Sequence, residues 1–134
     1  MRSFFKLSAA VVISAAALSS CQSQKAAQAP AAVRSAALPV MERITTGANA
    51  CWFRTKDPAF AAYRMAPELN SFSGKPRLLL VAKHSPESRP LLVIMAEGDP
   101  ARLQAFGPIM QGALHDKITA GVNHWARGNT GCPG

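Results

Sequence analysis

Two runs, Pro76–Lys83 (PRLLLVAK) and Leu91–Glu97 (LLVIMAE), decide how this chain folds. Both are short and aliphatic, and both are bounded by turn residues, which is the pattern of buried strands. His84–Pro90 (HSPESRP) between them is polar and holds two prolines. A connection of that length suits a hairpin and predicts an antiparallel pair.

The same reading extends outward on both sides. Ala59–Met65 (AFAAYRM) alternates imperfectly and predicts a preceding strand, followed by turn chemistry at Asn70–Gly74 (NSFSG). Gly98-Asp99-Pro100 makes another turn, after which Arg102–Phe106 (RLQAF) can form a short last strand. Helices are expected at both ends. Pro39 can open the first, because its missing donor falls where a helix has no partner for it. Val40, Met41, Ile44, Ala48, Cys51 and Trp52 then recur at spacings of three and four. Gly47 weakens this helix, and Asp57-Pro58 ends it; Trp52 reads as core in preference to a ligand-stacking platform. Pro108 opens the second helix, expected to run to about Arg127 with Gly128 as its stop. On a helical wheel, Met110, Leu114, Ile118, Gly121, Val122 and Trp125 fall within one arc of about 120°. The expected fold class is α+β: a small two-layer domain over 39–134, with an antiparallel meander of three or four strands flanked by an N-terminal and a C-terminal helix.

One feature strains a two-layer reading. Leu78–Ala82 and Leu91–Ala96 are apolar on both faces, whereas half-exposed antiparallel strands should alternate. Either a second copy or a partner protein covers the far face, or the first helix and the tail wrap it opposite the last helix.

The N-terminus supplies an address. Met1–Lys6 carries Arg2 and Lys6, and Leu7–Leu18 (LSAAVVISAAAL) is apolar and uncharged. A charged head, a short apolar run and small residues make an export signal. The run is about a dozen residues against the roughly 20 that span a bilayer. Leu18-Ser19-Ser20-Cys21 resembles the lipobox of bacterial lipoproteins. That resemblance implies removal of a signal peptide spanning 1–20 and acylation of Cys21; an ordinary secretory signal followed by a chance cysteine is the alternative. Gln22 at the next position implies the periplasmic face of the outer membrane, since an Asp there marks inner-membrane retention in enterobacterial lipoproteins. Segment 21–38 is mostly Ala, Gln and Ser, too poor in large apolar side chains to fold, and reads as a tether. Its 17 residues after Cys21 would reach about 20–25 Å as a coil.

With Cys21 assigned to lipid, Cys51 and Cys132 remain as an even pair in an oxidising compartment. Neither belongs to a redox or zinc motif, so they predict one structural disulfide, with two free thiols as the alternative.

Processing leaves thirteen basic and seven acidic residues, a net charge of +6 with histidines neutral. Such a balance favours anionic surfaces or polymers, and export argues against nucleic acid as the partner. Arg54, Lys56, Arg64, Lys75, Arg77, Lys83, Arg89 and Arg102 fall within one stretch that holds only five acids. Arg64, Lys75, Arg77, Lys83, Arg89 and Arg102 form the candidate anionic-ligand patch, with Tyr63 and Phe72 as stacking surfaces beside it; the alternative is a generally basic, solvated surface. Catalytic signals are sparse. His115 and His124 lie about 180° apart on a helix, so they cannot share a metal, and no metal or cofactor site is expected. There is no G-x-S-x-G elbow, and Gly74-Lys75 lacks the rest of a phosphate loop. His84 with Glu87, or Glu97 with Asp99, are the remaining acid–base candidates. The sequence therefore predicts a non-catalytic envelope lipoprotein, a binding or assembly accessory for an envelope protein or an anionic glycolipid or polysaccharide, with homodimerisation open. A small hydrolase acting on cell-wall or surface polysaccharide is the alternative.

Overall fold

A computed structural model describes residues 37–134; the expected signal, Cys21 and most of the tether lie outside the described residues. The chain forms helix α1 (Ala37–Ala48), strands β1 (Tyr63–Glu68), β2 (Arg77–Ala82), β3 (Leu92–Glu97) and β4 (Arg102–Phe106), and helix α2 (His115–Ala126). The strands pair antiparallel in sequence order, a four-stranded meander. The α+β reading holds, as does the Cys51–Cys132 disulfide, which bridges 81 residues.

The elements differ from expectation where local chemistry intervenes. α1 begins at Ala37, leaving Pro39 still within its first turn, and continues into wider π-helical turns at Asn49–Arg54. Asp57 then caps a single 3-10 turn, Pro58–Phe60, by accepting from the Ala59 amide. That turn delays β1 to Tyr63. Pro67 is tolerated inside β1 because β1 is a sheet edge. The last helix is shorter than its apolar arc suggests: Pro108–Gln111 makes one 3-10 turn, and Gly112 is extended (φ −119°, ψ −167°). α2 starts afresh at His115 and buries Ile118, Gly121, Val122 and Trp125.

α1 packs on one face of the sheet, and α2 packs chiefly against α1 on that same side. Val40, Met41 and Ile44 of α1, Ile118, Val122 and Trp125 of α2, and Leu78, Leu80, Leu92, Ile94 and Ala96 of the central strands form one buried cluster. The two helices run antiparallel. Arg43 donates to the carbonyls of Trp125 and Ala126, Gly47 abuts Trp125, the Trp52 ring approaches Gly121, and Asp57 pairs with Lys117. The tail joins this layer too, since the Trp125 indole donates to Gly131 O at 2.8 Å before Cys132 reaches Cys51. The idea that α1 and the tail wrap the far face is thereby corrected: α1 needs α2 for its own burial.

Gly47, which looked like a weakness, permits that contact. A Cβ there would lie 2.4 Å from the Trp125 indole. Gly47→Ala should therefore destabilise, by roughly 1–3 kcal/mol of overpacking, although alanine is the better helix former by about 1 kcal/mol. A raised denaturant midpoint in Gly47→Ala would contradict the close helix contact. Replacing Cys51 and Cys132 together by alanine should cost about 2–5 kcal/mol, the range for native bridges in small secreted domains, read as a lower midpoint under non-reducing conditions.

Candidate functional site

Alternation along the strands assigns the second face of the sheet. Leu78, Leu80, Leu92, Ile94 and Ala96 point to the helices, so their neighbours point away, and the register arranges these in rows. Arg64 stands opposite Val81. Ala66, Leu79, Val93 and Phe106 form the next row, and Glu68, Arg77, Met95 and Gln104 the one after. Glu97 and Arg102 close the face at one end. Its centre is apolar: Leu79 and Val81 belong to this side and not to the helix-side cluster and are buried (9 % and 6 % exposed), Ala66, Val93 and Met95 are half-buried, and Phe106 is 48 % exposed. No described helix packs on it.

The meander divides the predicted basic patch. In an up-and-down sheet the β1–β2 and β3–β4 turns share one end, and the β2–β3 connection lies at the other. Lys75, Arg77 and Arg102 are at the first end, where two carboxylates meet them. Lys75 Nζ lies 2.7 Å from Glu97 Oε2, Arg102 Nη2 3.4 Å from Glu97 Oε1, and Arg77 Nε donates to Glu68 Oε2 at 2.5 Å. Lys83 and Arg89 are exposed at the opposite end, and Arg64 is exposed on the outer face beside Val81. No carboxylate of the described residues pairs with these three. Phe72 is fully exposed at the paired end, and Tyr63 is half-buried at the other. The six cations are thus two groups, one ion-paired to two carboxylates and one without a described carboxylate.

The acid–base candidates are also separated. His84 and Glu87 occupy the β2–β3 connection, whereas Glu97 and Asp99 lie at the far end of β3, a strand of six residues and so roughly 20 Å long. Glu97 is committed to Lys75 and Arg102. His115 contacts Asp116, and His124 bonds to the Thr130 carbonyl. Among the described residues no group of three or more His, Cys, Asp or Glu could hold a metal ion, and no helix is long and apolar enough to cross a membrane. Trp52 is core, stacked on Phe60 at 4.5 Å and edge-on to Trp125 at 5.2 Å.

Two carboxyls hold their protons more weakly than usual. Asp57 is lowered by its bond from Lys117 and then by the Ala59 amide; Glu97 is lowered by Lys75 and then by Arg102. A carboxyl depressed in the folded state stabilises the fold above its unfolded value, and that stabilisation disappears as pH falls through the folded value. Stability should thus be level in this respect between pH 7 and 5 and decline below about pH 4. Asp57→Asn should weaken the domain at pH 7 and make little difference at pH 2.5, as measured by urea unfolding. An equal loss at both values would exclude the ion pair as the cause.

No family model, no curated protein and no solved structure matches the chain.

Proposed function

We propose that the chain is an envelope lipoprotein, acylated at Cys21 and held on the periplasmic face of the outer membrane. Its domain acts as a non-catalytic binding or assembly module for another envelope protein. The address rests on the lipobox-like Leu18-Ser19-Ser20-Cys21 and the apolar run before it. The observation that carries the binding role is the outer sheet face. Ala66, Leu79, Val81, Val93, Met95 and Phe106 give an apolar centre on the side away from both helices. Leu79 and Val81 are already buried, so the area a partner would cover comes from exposed Phe106 and half-buried Ala66, Val93 and Met95, at about 25 cal/mol per Å² of apolar surface removed from water.

Charge defines the partner's chemistry. Arg64 borders the apolar rows without a described carboxylate, while Glu68 and Glu97 are already satisfied by Arg77, Lys75 and Arg102. A fitting partner presents an apolar patch with a carboxylate to meet Arg64, and the excess positive charge of the mature chain would hasten the encounter.

The test uses the full lipidated chain in native envelopes, with a photo-crosslinking residue placed at Phe106 on the outer face or at Glu42 on the exposed side of α1. A discrete adduct with a different protein is expected from the Phe106 position and not from Glu42. Val93→Asp, which sets a like charge against the partner's carboxylate without entering the core, should abolish it. Adducts at twice the chain mass would replace this reading with self-association, and equal labelling from both positions would remove the outer face as the site.

A further inference from the structure

A second surface lies away from the outer face, where α1's π-helical extension runs into β1. Trp52, Phe53, Phe60 and Tyr63 line a groove of about 370 Å³ there, together with Lys56, Lys83 and the carboxylate Asp57. Trp52 and Phe60 are stacked and buried, with Lys117 over the Phe60 ring, so they back the groove as a rigid support; the half-buried Phe53 and Tyr63 are the aromatic side chains a ligand can reach. Lys83 is positioned by its own amide, which bonds to Ala62 O at 2.9 Å. Asp57, the carboxylate in the lining, is held by Lys117 and the Ala59 amide and forms an ion pair with neither Lys56 nor Lys83.

Lys56 is the unusual residue. Its amide closes the helical segment by bonding to Phe53 O at 3.0 Å, and its φ is +55°. This left-handed cap position is normally glycine, because a Cβ there is strained. At the five other positions of positive φ among the described residues the chain uses glycine: Gly74, Gly98, Gly107, Gly128 and Gly131. Only here does it keep a side chain, and that side chain is a cation on an aromatic groove. Strain of this kind persists only where the surrounding packing over-determines it, and such positions cluster at binding and active sites.

We infer that this groove binds an anionic sugar, a pyranose bearing a phosphate or a carboxylate. Phe53 and Tyr63 meet the apolar face of the ring, and Lys56 and Lys83 meet its anionic group with charge-assisted hydrogen bonds. The Tyr63 hydroxyl can both donate to and accept from ring hydroxyls. A purely apolar ligand would leave two ammonium groups unmatched, and a bare anion would leave the aromatic side chains unused. The groove's volume is at the small end for ligand pockets, so it admits a terminal or single residue of a glycan and not a wide polymer face. The inference is independent of the outer face and survives if that face binds nothing.

The test titrates the full lipidated chain, in a neutral detergent without sugar, with glucose 1-phosphate, glucuronate, glucose and inorganic phosphate, following tryptophan fluorescence and amide chemical shifts. At least one of the two anionic sugars should bind at least tenfold more tightly than glucose and than inorganic phosphate, with shifts at Phe53, Lys56, Tyr63 and Lys83. Which of them binds better distinguishes a phosphorylated from a uronic-acid source. Lys56→Gly is the decisive variant: its melting temperature should be unchanged or higher while affinity falls at least tenfold, and Lys83→Ala should weaken binding without moving the melting temperature. Val93→Asp should leave sugar affinity unchanged. Equal binding of glucose, phosphate binding as tight as that of the sugars, or full affinity in Lys56→Gly would each overturn the proposal.

Discussion

Trp125 is the contact on which the rest of the architecture depends. Its indole lies against Gly47 of α1 and Gly121 of its own helix, edge-on to Trp52, and its N–H is satisfied by Gly131 of the tail. Its backbone carbonyl accepts from Arg43. One side chain therefore joins two helices, the π-helical extension and the C-terminal tail. Because the glycines remove the Cβ atoms that would hold the helices apart, α1 and α2 can lie on one side of the sheet as a close pair. The disulfide then fastens the same joint from the tail side. A large aromatic ring in a close-packed interior tolerates little displacement, so this joint fixes which sheet face the helices cover and which they leave.

The constraint has consequences for the surface. With both helices on one side, the second face of the sheet carries no helix, and its half-buried Val93 and Met95 and exposed Phe106 remain open to something outside the described domain. The meander then distributes charge by a simple rule of alternating ends. Carboxylates Glu68 and Glu97 sit where Lys75, Arg77 and Arg102 converge and pair with all three. Lys56 and Lys83 meet at the other end, where the nearby Asp57 is taken by Lys117. Net positive charge thus becomes a local feature through ion pairing, not through any cluster in the linear sequence.

Much of the fold was legible because its signals are local. The aliphatic runs around Leu78–Val81 and Leu92–Met95, the Asn70–Gly74 and Gly98–Pro100 turns, and the spacing of Val40, Met41, Ile44 and Ala48 each point to one structure. The cysteine pair followed from counting. What was not legible depends on neighbours distant in sequence. Gly47 reads as a flaw until Trp125, 78 residues later, is placed on it. The apolar arc from Met110 to Trp125 reads as one helix, yet the backbone breaks at Gly112, and periodicity cannot report a φ or ψ. The basic patch read as a single cluster because sequence proximity says nothing about which end of a sheet a turn occupies. Lys56, Lys83 and Tyr63 stood out only as members of a broad basic stretch; that they share a groove with Phe53 depends on the β1–β2 register and the π-helical turns.

Those turns explain why strain can be held at Lys56 at all. A left-handed residue at an exposed helix end ordinarily relaxes by fraying the last turn, at little cost. Here the turn before it carries Cys51, bonded to the tail, and Trp52, wedged between Phe60 and Trp125. Just after it, Asp57 caps the Pro58–Phe60 turn and is tied to Lys117 of α2. Unwinding the segment would break the aromatic stack or pull against the disulfide, so the packing on both sides over-determines the conformation of the residue between them. The rigidity that Trp125 gives to the helix joint is thereby transmitted to the edge of the groove, which holds the Lys56 backbone in its left-handed conformation there.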